Sequence, residues 1–390
     1  MSKIVYMDNA ATTAVKPEVL TAMMPFFNES YGNASSVYNL GQKSKEYLDN
    51  ARLRIANCIG AKQNEVFFTS CGSEADNWAI KGVAFANEKK GKHIITSKIE
   101  HHAVLHTCEY LEKKGFEVTY LDVDKFGKIN LEQLEKEIRE DTILISIMFA
   151  NNEVGTIQDI KQIGSIAKKH KVIFHTDAVQ AFGSVDIKVS DFNIDLLSFS
   201  AHKIGGPKGV GFMYKRRGIK CESLIHGGAQ EMNKRAGTEN LAFIEGMAVA
   251  LESAYANLES HNEYLIKLRD YFINKLTNSI DYIQLNGHPT DRLPGNVNMS
   301  IHFVEGEGLL LSLDMENIAA SSGSACTSGS LDPSHVLLSM GITHEIAHGS
   351  LRFSLSTENT YEEVDFVVEK LIEIVSRLRE MSPLYEQVEK

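Results

Sequence analysis

The chain has 390 residues, 43% hydrophobic and 23% charged, a balance that excludes collagen, low-complexity disorder and a small disulfide scaffold. At roughly 100 to 200 residues per domain, it is long enough for two domains and a substantial core. Forty Lys and Arg against fifty-one Asp and Glu leave a net charge of −11, so nucleic acid and anionic membranes are repelled on average and are not expected partners.

The opening stretch, MSKIVYMDNAATTAV, carries an apolar run too short for the core of a secretory signal. The five cysteines, Cys58, Cys71, Cys108, Cys221 and Cys326, are scattered, odd in number and not spaced as metal ligands. Both features point to a reducing cytoplasm and to no metal site. From about residue 60 to 220, short β-rich apolar runs alternate with longer helical stretches, which predicts a mostly parallel sheet with helices on both faces. Strands are expected at Glu65–Thr69, His93–Thr96, Val118–Leu121, Ile143–Met148, Val172–His175, Leu196–Phe199 and Gly211–Tyr214. Helices are expected at Glu74–Glu88, His102–Lys114, Leu131–Arg139 and Asp159–His170. Beyond Asn240 a nearly unbroken helical pattern, Ala242 through Leu276, reads as one long interdomain helix. The remainder, with Asn296–Ile301, a Gly/Ser-rich stretch at 321–330, Gly349–Phe353 and a charged helix from Tyr361, reads as a small α+β domain. The expected division is 14–260 for the large domain, with 1–13 plus 261–390 for the small one.

In open α/β sheets ligands bind beyond the carboxyl ends of the strands. Five expected strands run there into polar clusters: Ser70-Cys-Gly-Ser-Glu74, Glu100-His-His102, Asn151-Asn-Glu153, Thr176-Asp-Ala-Val-Gln180 and Ser200-Ala-His-Lys203. The turn at Cys71-Gly-Ser-Glu reads either as an anion site at a helix N-terminus or as a plain capped turn. Asp177 follows an apolar strand and is either a helix cap or a desolvated carboxylate facing a cation, such as a protonated pyridine nitrogen. Lys203, followed by Gly205-Gly206-Pro207, is either a loop lysine or an amine able to form a Schiff base. An anion turn, a carboxylate, a lysine and an imidazole able to stack on a ring together match the needs of pyridoxal phosphate. A nicotinamide or nucleotide would leave the aspartate and lysine unexplained.

Cys326 stands in Ser321-Ser-Gly-Ser-Ala-Cys-Thr-Ser-Gly-Ser330, where no apolar periodicity buries a thiol, so a mobile nucleophilic cysteine is expected rather than the alternative of a small buried hydrophobe. Arg352, alternating with apolar residues in Gly349-Ser-Leu-Arg-Phe-Ser-Leu355, is either a carboxylate clamp or half of a structural ion pair.

These residues resemble the class V branch of fold type I pyridoxal phosphate enzymes, and within it the cysteine desulfurases of the nitrogen-fixation and housekeeping iron–sulfur group. The matching segments are Tyr6-Met-Asp-Asn-Ala-Ala-Thr-Thr13, Phe68-Thr-Ser-Cys-Gly-Ser-Glu74, Glu100-His101, Asn151-Asn-Glu-Val-Gly155, His175-Thr-Asp-Ala-Val-Gln180, Ser198-Phe-Ser-Ala-His-Lys203, Gly227-Gly-Ala-Gln-Glu231, Arg235-Ala-Gly-Thr-Glu-Asn240, Ser322-Gly-Ser-Ala-Cys326 and Arg352-Phe-Ser354. They span nearly the whole chain. The resemblance implies a fold type I transferase with a seven-stranded, mostly parallel sheet in the large domain and a smaller α+β domain carrying the Cys326 loop. It implies that Lys203 is the Schiff-base lysine, Asp177 pairs with the ring nitrogen, His101 stacks on the ring and Gln180 contacts the ring's phenolic oxygen. Gly72, Ser73, Ser200 and His202 would hold the phosphate, with Thr238 reaching in from the neighbouring subunit of a homodimer. Asn152, also at the cofactor, and Arg352 would grip the substrate, L-cysteine. Cys326 would take its sulfur as a persulfide, leaving L-alanine, and Lys203 and His101 would move protons. The sulfur would pass to an acceptor such as an iron–sulfur scaffold protein.

The chain departs from the usual pattern at Ala34 and Tyr38, where the family usually shows proline and histidine, and at Ser356-Thr-Glu, where housekeeping members usually continue Gly-Arg. Its end, Ser382 to Lys390, lacks their longer tail and leans toward the nitrogen-fixation-like branch. A selenocysteine lyase or an aminotransferase on the same fold, and a non-catalytic scaffold, are the alternatives; Cys326 speaks against transamination, and Lys203 and Asp177 against a silent scaffold.

Overall fold

The computed structural model describes residues 4–322, 333–383 and 385. All seven expected strands form one sheet, ordered Val66–Thr69, Gly211–Lys215, Leu196–Ser200, Ile173–Asp177, Thr142–Ser146, His93–Ser97 and Glu117–Leu121. Only Gly211–Lys215 runs antiparallel to its neighbours. Successive side chains alternate between two cores, because strand residues point to opposite faces. Phe68, Ile95, Ile145, Leu197 and Phe212 enter one core with Leu48, Ile55, Met247 and Leu251. Phe67, Ile94, Leu144, Leu196 and Met213 enter the other with Trp78, Val83, Val104 and Leu111. Burial on both faces is why these strands read as continuous apolar runs rather than as alternating patterns.

The helices start where short polar side chains satisfy free N–H groups. Asn130 Oδ1 accepts from the N–H groups of Glu132 and Gln133 at the head of Leu131–Glu137. Asp159 caps Ile160–His170, and Asn240 caps Leu241–Ala256. The expected single helix over 242–276 is two, Leu241–Ala256 and Leu258–Ser279, joined at Asn257. Asn257 sits at φ −112° and ψ 9°, and its side-chain amide donates to Ser253 O, a local bond of the kind that competes with helix continuation.

The second of these helices packs with Tyr361–Glu380 against an antiparallel sheet of Ser350–Ser354, Asn296–Ile301 and Ile283–Leu285. A separate core forms here from Leu268, Phe272, Val297, Met299, Phe353, Val367 and Leu371. Val5 and Met7 belong to this core, and the strand Val5–Tyr6 pairs in parallel with Ile318–Ala319. Immediately afterwards the chain crosses to the rim of the large sheet. Among the described residues no helix is long and apolar enough to cross a membrane, and no group of side chains could hold a metal ion.

Candidate active site

The rim of the large sheet gathers most of the expected residues. Asp177 is the last residue of its strand, and Lys203 closes the turn Ala201–Lys203 that follows the neighbouring strand. Asp177 is buried, and burial pushes its carboxyl up to about 6. The Val179 N–H, 2.9 Å from Oδ1, and the Lys203 charge offset part of that push. A buried carboxylate facing one amine suits a second cation beside it.

Gly72 begins the helix Gly72–Asn87, and Cys71 caps it through Sγ. The first N–H groups of a helix have no intrahelical partner and attract anions. A Cβ at position 72 would come within 2.8 Å of Val179 Cγ2 and 3.5 Å of Ser200 Cβ, so only glycine leaves this end of the helix open toward Ser200. Ser73 is exposed at the same helix end. The gap between helix end and strand end is the kind of cradle a phosphate fills.

His101 caps the helix His102–Glu112, its Nδ1 accepting from Ala103 N at 3.1 Å. Burial, then the charges of Lys203, His102 and His106, push it down to about 4, so it is neutral at pH 7. Burial and the charges of Lys203 and Lys208 do the same to His202.

One segment that sequence reasoning quoted but gave no task holds these groups in place. Lys203 Nζ donates to Ala10 O at 2.6 Å and to Ala11 O at 2.8 Å, while Gln180 Nε2 donates to Ala10 O at 3.0 Å. His202 Nδ1 lies 3.2 Å from Thr12 Oγ1, and Thr13 Oγ1 donates to His202 O at 2.9 Å. At its other end Asp8 Oδ1 accepts from Arg352 Nη2 at 2.9 Å. The signal for it was available: Asp8-Asn-Ala-Ala-Thr-Thr13 is a run of small and polar residues between a short apolar strand and Pro17.

Arg352 is 1% exposed, buried more deeply than a clamp open to a substrate carboxylate would be. Nη1 donates to the backbone oxygen of Asn152 at 3.1 Å, which brings these two expected substrate residues together, and Nε has no partner among the described residues. Among the described residues Arg352 is thus an ion-pair member with one donor, Nε, left without a hydrogen-bond partner.

Thr238 is exposed and lines a hollow of about 160 Å³ with Ser70 and Arg235. Its segment is anchored by Glu231, which takes Arg52 at 2.6 and 2.8 Å and the Phe68 N–H at 2.9 Å. Arg235 grips Glu74 at 2.8 and 2.9 Å, and Glu74 in turn accepts from Ser70 N and Oγ. Burial pushes the Glu74 carboxyl up, but those hydrogen bonds outweigh it and hold the group below its ordinary value. Cys326 lies outside the described residues.

A helix end open to an anion, a buried carboxylate, an amine on the adjacent strand end and a neutral imidazole therefore meet on one rim. The donor set fits pyridoxal phosphate: anion cradle, pyridinium partner, aldehyde partner and ring neighbour.

The chain belongs to the aminotransferase class-V family, which it matches over residues 5–367. Within that family it is 58% identical over 383 residues to a protein of Methanosarcina thermophila named cysteine desulfurase IscS, covering 98% of this chain and 95% of the relative. A solved NifS-like protein superimposes with a TM-score of 0.91 at 41% identity, over 96% of this chain and all of the other. Another solved structure, SspA in complex with cysteine, gives a TM-score of 0.81 at 38% identity, over 91% of this chain and all of the other.

Proposed function

We infer that this chain is a pyridoxal phosphate-dependent cysteine desulfurase that converts L-cysteine to L-alanine and supplies sulfur for iron–sulfur cluster assembly. The observation that carries the reading is the meeting of Lys203 and Asp177 on adjacent strand ends, in a chain so close over its length to a named desulfurase. That one structural neighbour is described in complex with cysteine supports the substrate.

When bound, pyridoxal phosphate supplies an aldehyde that captures an amine and a protonated ring that accepts the electron pair released at the substrate Cα. Gly72, Ser73, Ser200 and His202 would hold the phosphate, Asp177 would keep the ring nitrogen protonated, and Gln180 and Asn152 would orient the ring. His101, neutral at pH 7 because burial lowers its proton affinity, would lie against the ring and be able to accept a proton. Lys203 leaves the Ala10 and Ala11 oxygens to take the Cα proton on Nζ and return it. Arg352, through the donor it has free, and Asn152 hold the carboxylate of cysteine.

The Cys326 thiolate attacks the substrate sulfur; the new S–S bond forms as Cβ–S breaks, the electron pair stays on carbon, and a proton completes alanine. The persulfide on Cys326 then serves an acceptor protein, such as an iron–sulfur scaffold. The working unit is a homodimer in which Thr238 of one subunit completes the phosphate site of the other. Supporting this are the apolar side chains left exposed between residues 20 and 53, including Tyr31 at 67% and Val37 at 88%. We place the protein in the cytoplasm, on the reading of its cysteines, and divide it at about residue 260 into the two domains expected above.

The test is a visible spectrum before and after cysteine, with alanine and sulfide assayed in wild type and Cys326→Ala. A cofactor band with both products formed only when Cys326 is present supports the reading. A band with products independent of Cys326 overturns the persulfide step, and a protein that takes up no cofactor overturns the whole.

A further inference from the structure

Behind Asp177 lies a second acid for which the reaction above has no task. Asp76, in the second turn of the helix Gly72–Asn87, is 1% exposed. Its Oδ1 has no hydrogen-bond partner among the described residues and stands 3.6 Å from His175 Nε2. His175 is two residues before Asp177, on the same face of the strand, and is wholly buried. Both its nitrogens are engaged: Nδ1 is 2.8 Å from Ser146 Oγ and Nε2 is 3.0 Å from Ser198 Oγ. Register places these side chains in one row across three strands, with Ser146 opposite His175 and Ser198 opposite Asp177.

The charges around Asp76 all disfavour its anion. Asp177 faces it from the strand, Glu100 from the link after His93–Ser97, and Cys71 from its own helix cap. Burial is the largest effect and raises its proton affinity well above the ordinary value, with Ser198 the one group opposing it. His175 supplies no cation, because burial pushes it down to about 3. The Lys203 charge acts at Asp177. Three carboxylates, Asp76, Asp177 and Glu100, therefore share a floor that has one neighbouring amine; burial pushes Glu100 up to about 8 as well, and like charges buried together do not all ionise.

We propose that Asp76 keeps a proton at neutral pH and, through the Ser198–His175–Ser146 row, is a positioning residue that leaves Asp177 the single anion beneath the cofactor ring. In this state Asp76 donates to Ser198 Oγ, Ser198 donates to His175 Nε2, and His175 Nδ1–H donates to Ser146 Oγ. The row is then neutral throughout and fixes one tautomer of His175. The functional part of this inference rests on the reading of Asp177 given above; the protonation of Asp76 does not.

The test uses the loaded, full-length protein. The infrared difference between wild type and Asp76→Asn at neutral pH shows the carbonyl stretch of a protonated carboxyl lost in the variant. The amide is neutral and still donates, so Asp76→Asn keeps the cofactor dissociation constant within about threefold and the pH midpoint of the visible band where wild type has it. Asp76→Leu, which cannot donate, moves that midpoint by about one unit. No protonated-carboxyl band lost in Asp76→Asn, or a tenfold weaker cofactor constant there, overturns the proposal. Equal displacement of the midpoint by Asn and Leu overturns the positioning role in favour of packing, and the infrared result stands even where Asp76→Leu does not fold. If instead Asp177→Asn holds cofactor as wild type does, the functional reading fails while the proton on Asp76 remains.

Discussion

The floor and the roof of this site are built by opposite means. The floor consists of strand-end and strand-borne groups, Asp177, His175 and Ser198, with Asp76 from the covering helix, all buried and locked by the sheet itself. The roof is the segment Asp8–Thr13, which has no strand or helix of its own beyond one bridging residue, Asp8. It reaches Lys203, Gln180, His202 and Arg352 through individual hydrogen bonds, several to its backbone oxygens. A floor fixed by the fold suits groups whose charge must not change during a reaction. A roof fixed by single hydrogen bonds suits an amine and a guanidinium that, on the function proposed above, exchange partners when substrate arrives. The lesson is that rigidity here follows chemical task rather than distance from the reacting atoms.

Substitutions that break each half separate the two. On the roof side, Lys203→Ala removes the amine proposed to move the Cα proton, and on that reading kcat falls by about 10⁴ or more, with cysteine turnover as the readout. Backbone partners Ala10 and Ala11 lose little, so the melting temperature stays near wild type. On the floor side, Asp177→Asn keeps shape but loses the anion. A charge-assisted hydrogen bond becomes a neutral one, and kcat/KM falls by about 10² to 10³, accompanied by weaker cofactor retention. If Asp177→Asn were the more damaging of the two, the division of labour between floor and roof would be wrong.

A third group tests whether the floor extends beyond the ring. Glu153 is buried, accepts a hydrogen bond from the Ser334 hydroxyl, and is pushed by burial up to about 7. Its folded proton affinity is above the unfolded one, so its stabilising contribution is complete below about pH 4.5 and is lost as pH rises toward 7. The loss approaches about 3 kcal/mol. Denaturant unfolding of wild type against Glu153→Gln, from pH 4.5 to 8, should show the variant's advantage growing with pH. A gap that stays constant over that range would place the ionisation elsewhere.

Much of the sheet rim was legible in the sequence because it obeys local rules. The seven strands are short apolar runs, and each chemically loaded residue follows one of them, as Asp177 follows Ile173–Thr176 and Lys203 follows Leu196–Ser200. Asp76 was not legible: in Glu74-Ala-Asp-Asn77 it reads as an ordinary polar residue near a helix start, and only the packing of that helix on the sheet brings it to 3.6 Å from His175. The roof was hidden for a related reason. The bonds from Lys203 to Ala10 and Ala11 span more than 190 positions and end on backbone oxygens, which every residue type supplies. Arg352 was read correctly as a strand residue, yet its partner Asp8 is 344 positions away. Asn257 ended a helix through a side-chain bond that apolar spacing does not register.

The smallest predicted effect is the most specific to the roof. Asp8→Ala removes the carboxylate from Arg352 Nη2, leaving a guanidinium that is 1% exposed with the Asn152 oxygen as its one hydrogen-bond partner among the described residues. Two consequences oppose each other. The buried cation loses its counter-charge, which destabilises the fold by about 2 kcal/mol at a pair whose Asp8 end still meets water. The same loss frees a second donor beside the unpartnered Nε, and a carboxylate-bearing substrate then replaces the missing anion. The expected result is therefore a lower melting temperature that cysteine partly restores, with KM raised by no more than about tenfold. Asp8→Asn, which keeps a hydrogen-bond acceptor without the charge, should fall between wild type and Asp8→Ala in stability. A variant destabilised to the same extent with and without cysteine would mean that Arg352 does not meet the substrate carboxylate, and that its pairing with Asp8 serves only to tie the N-terminal segment down.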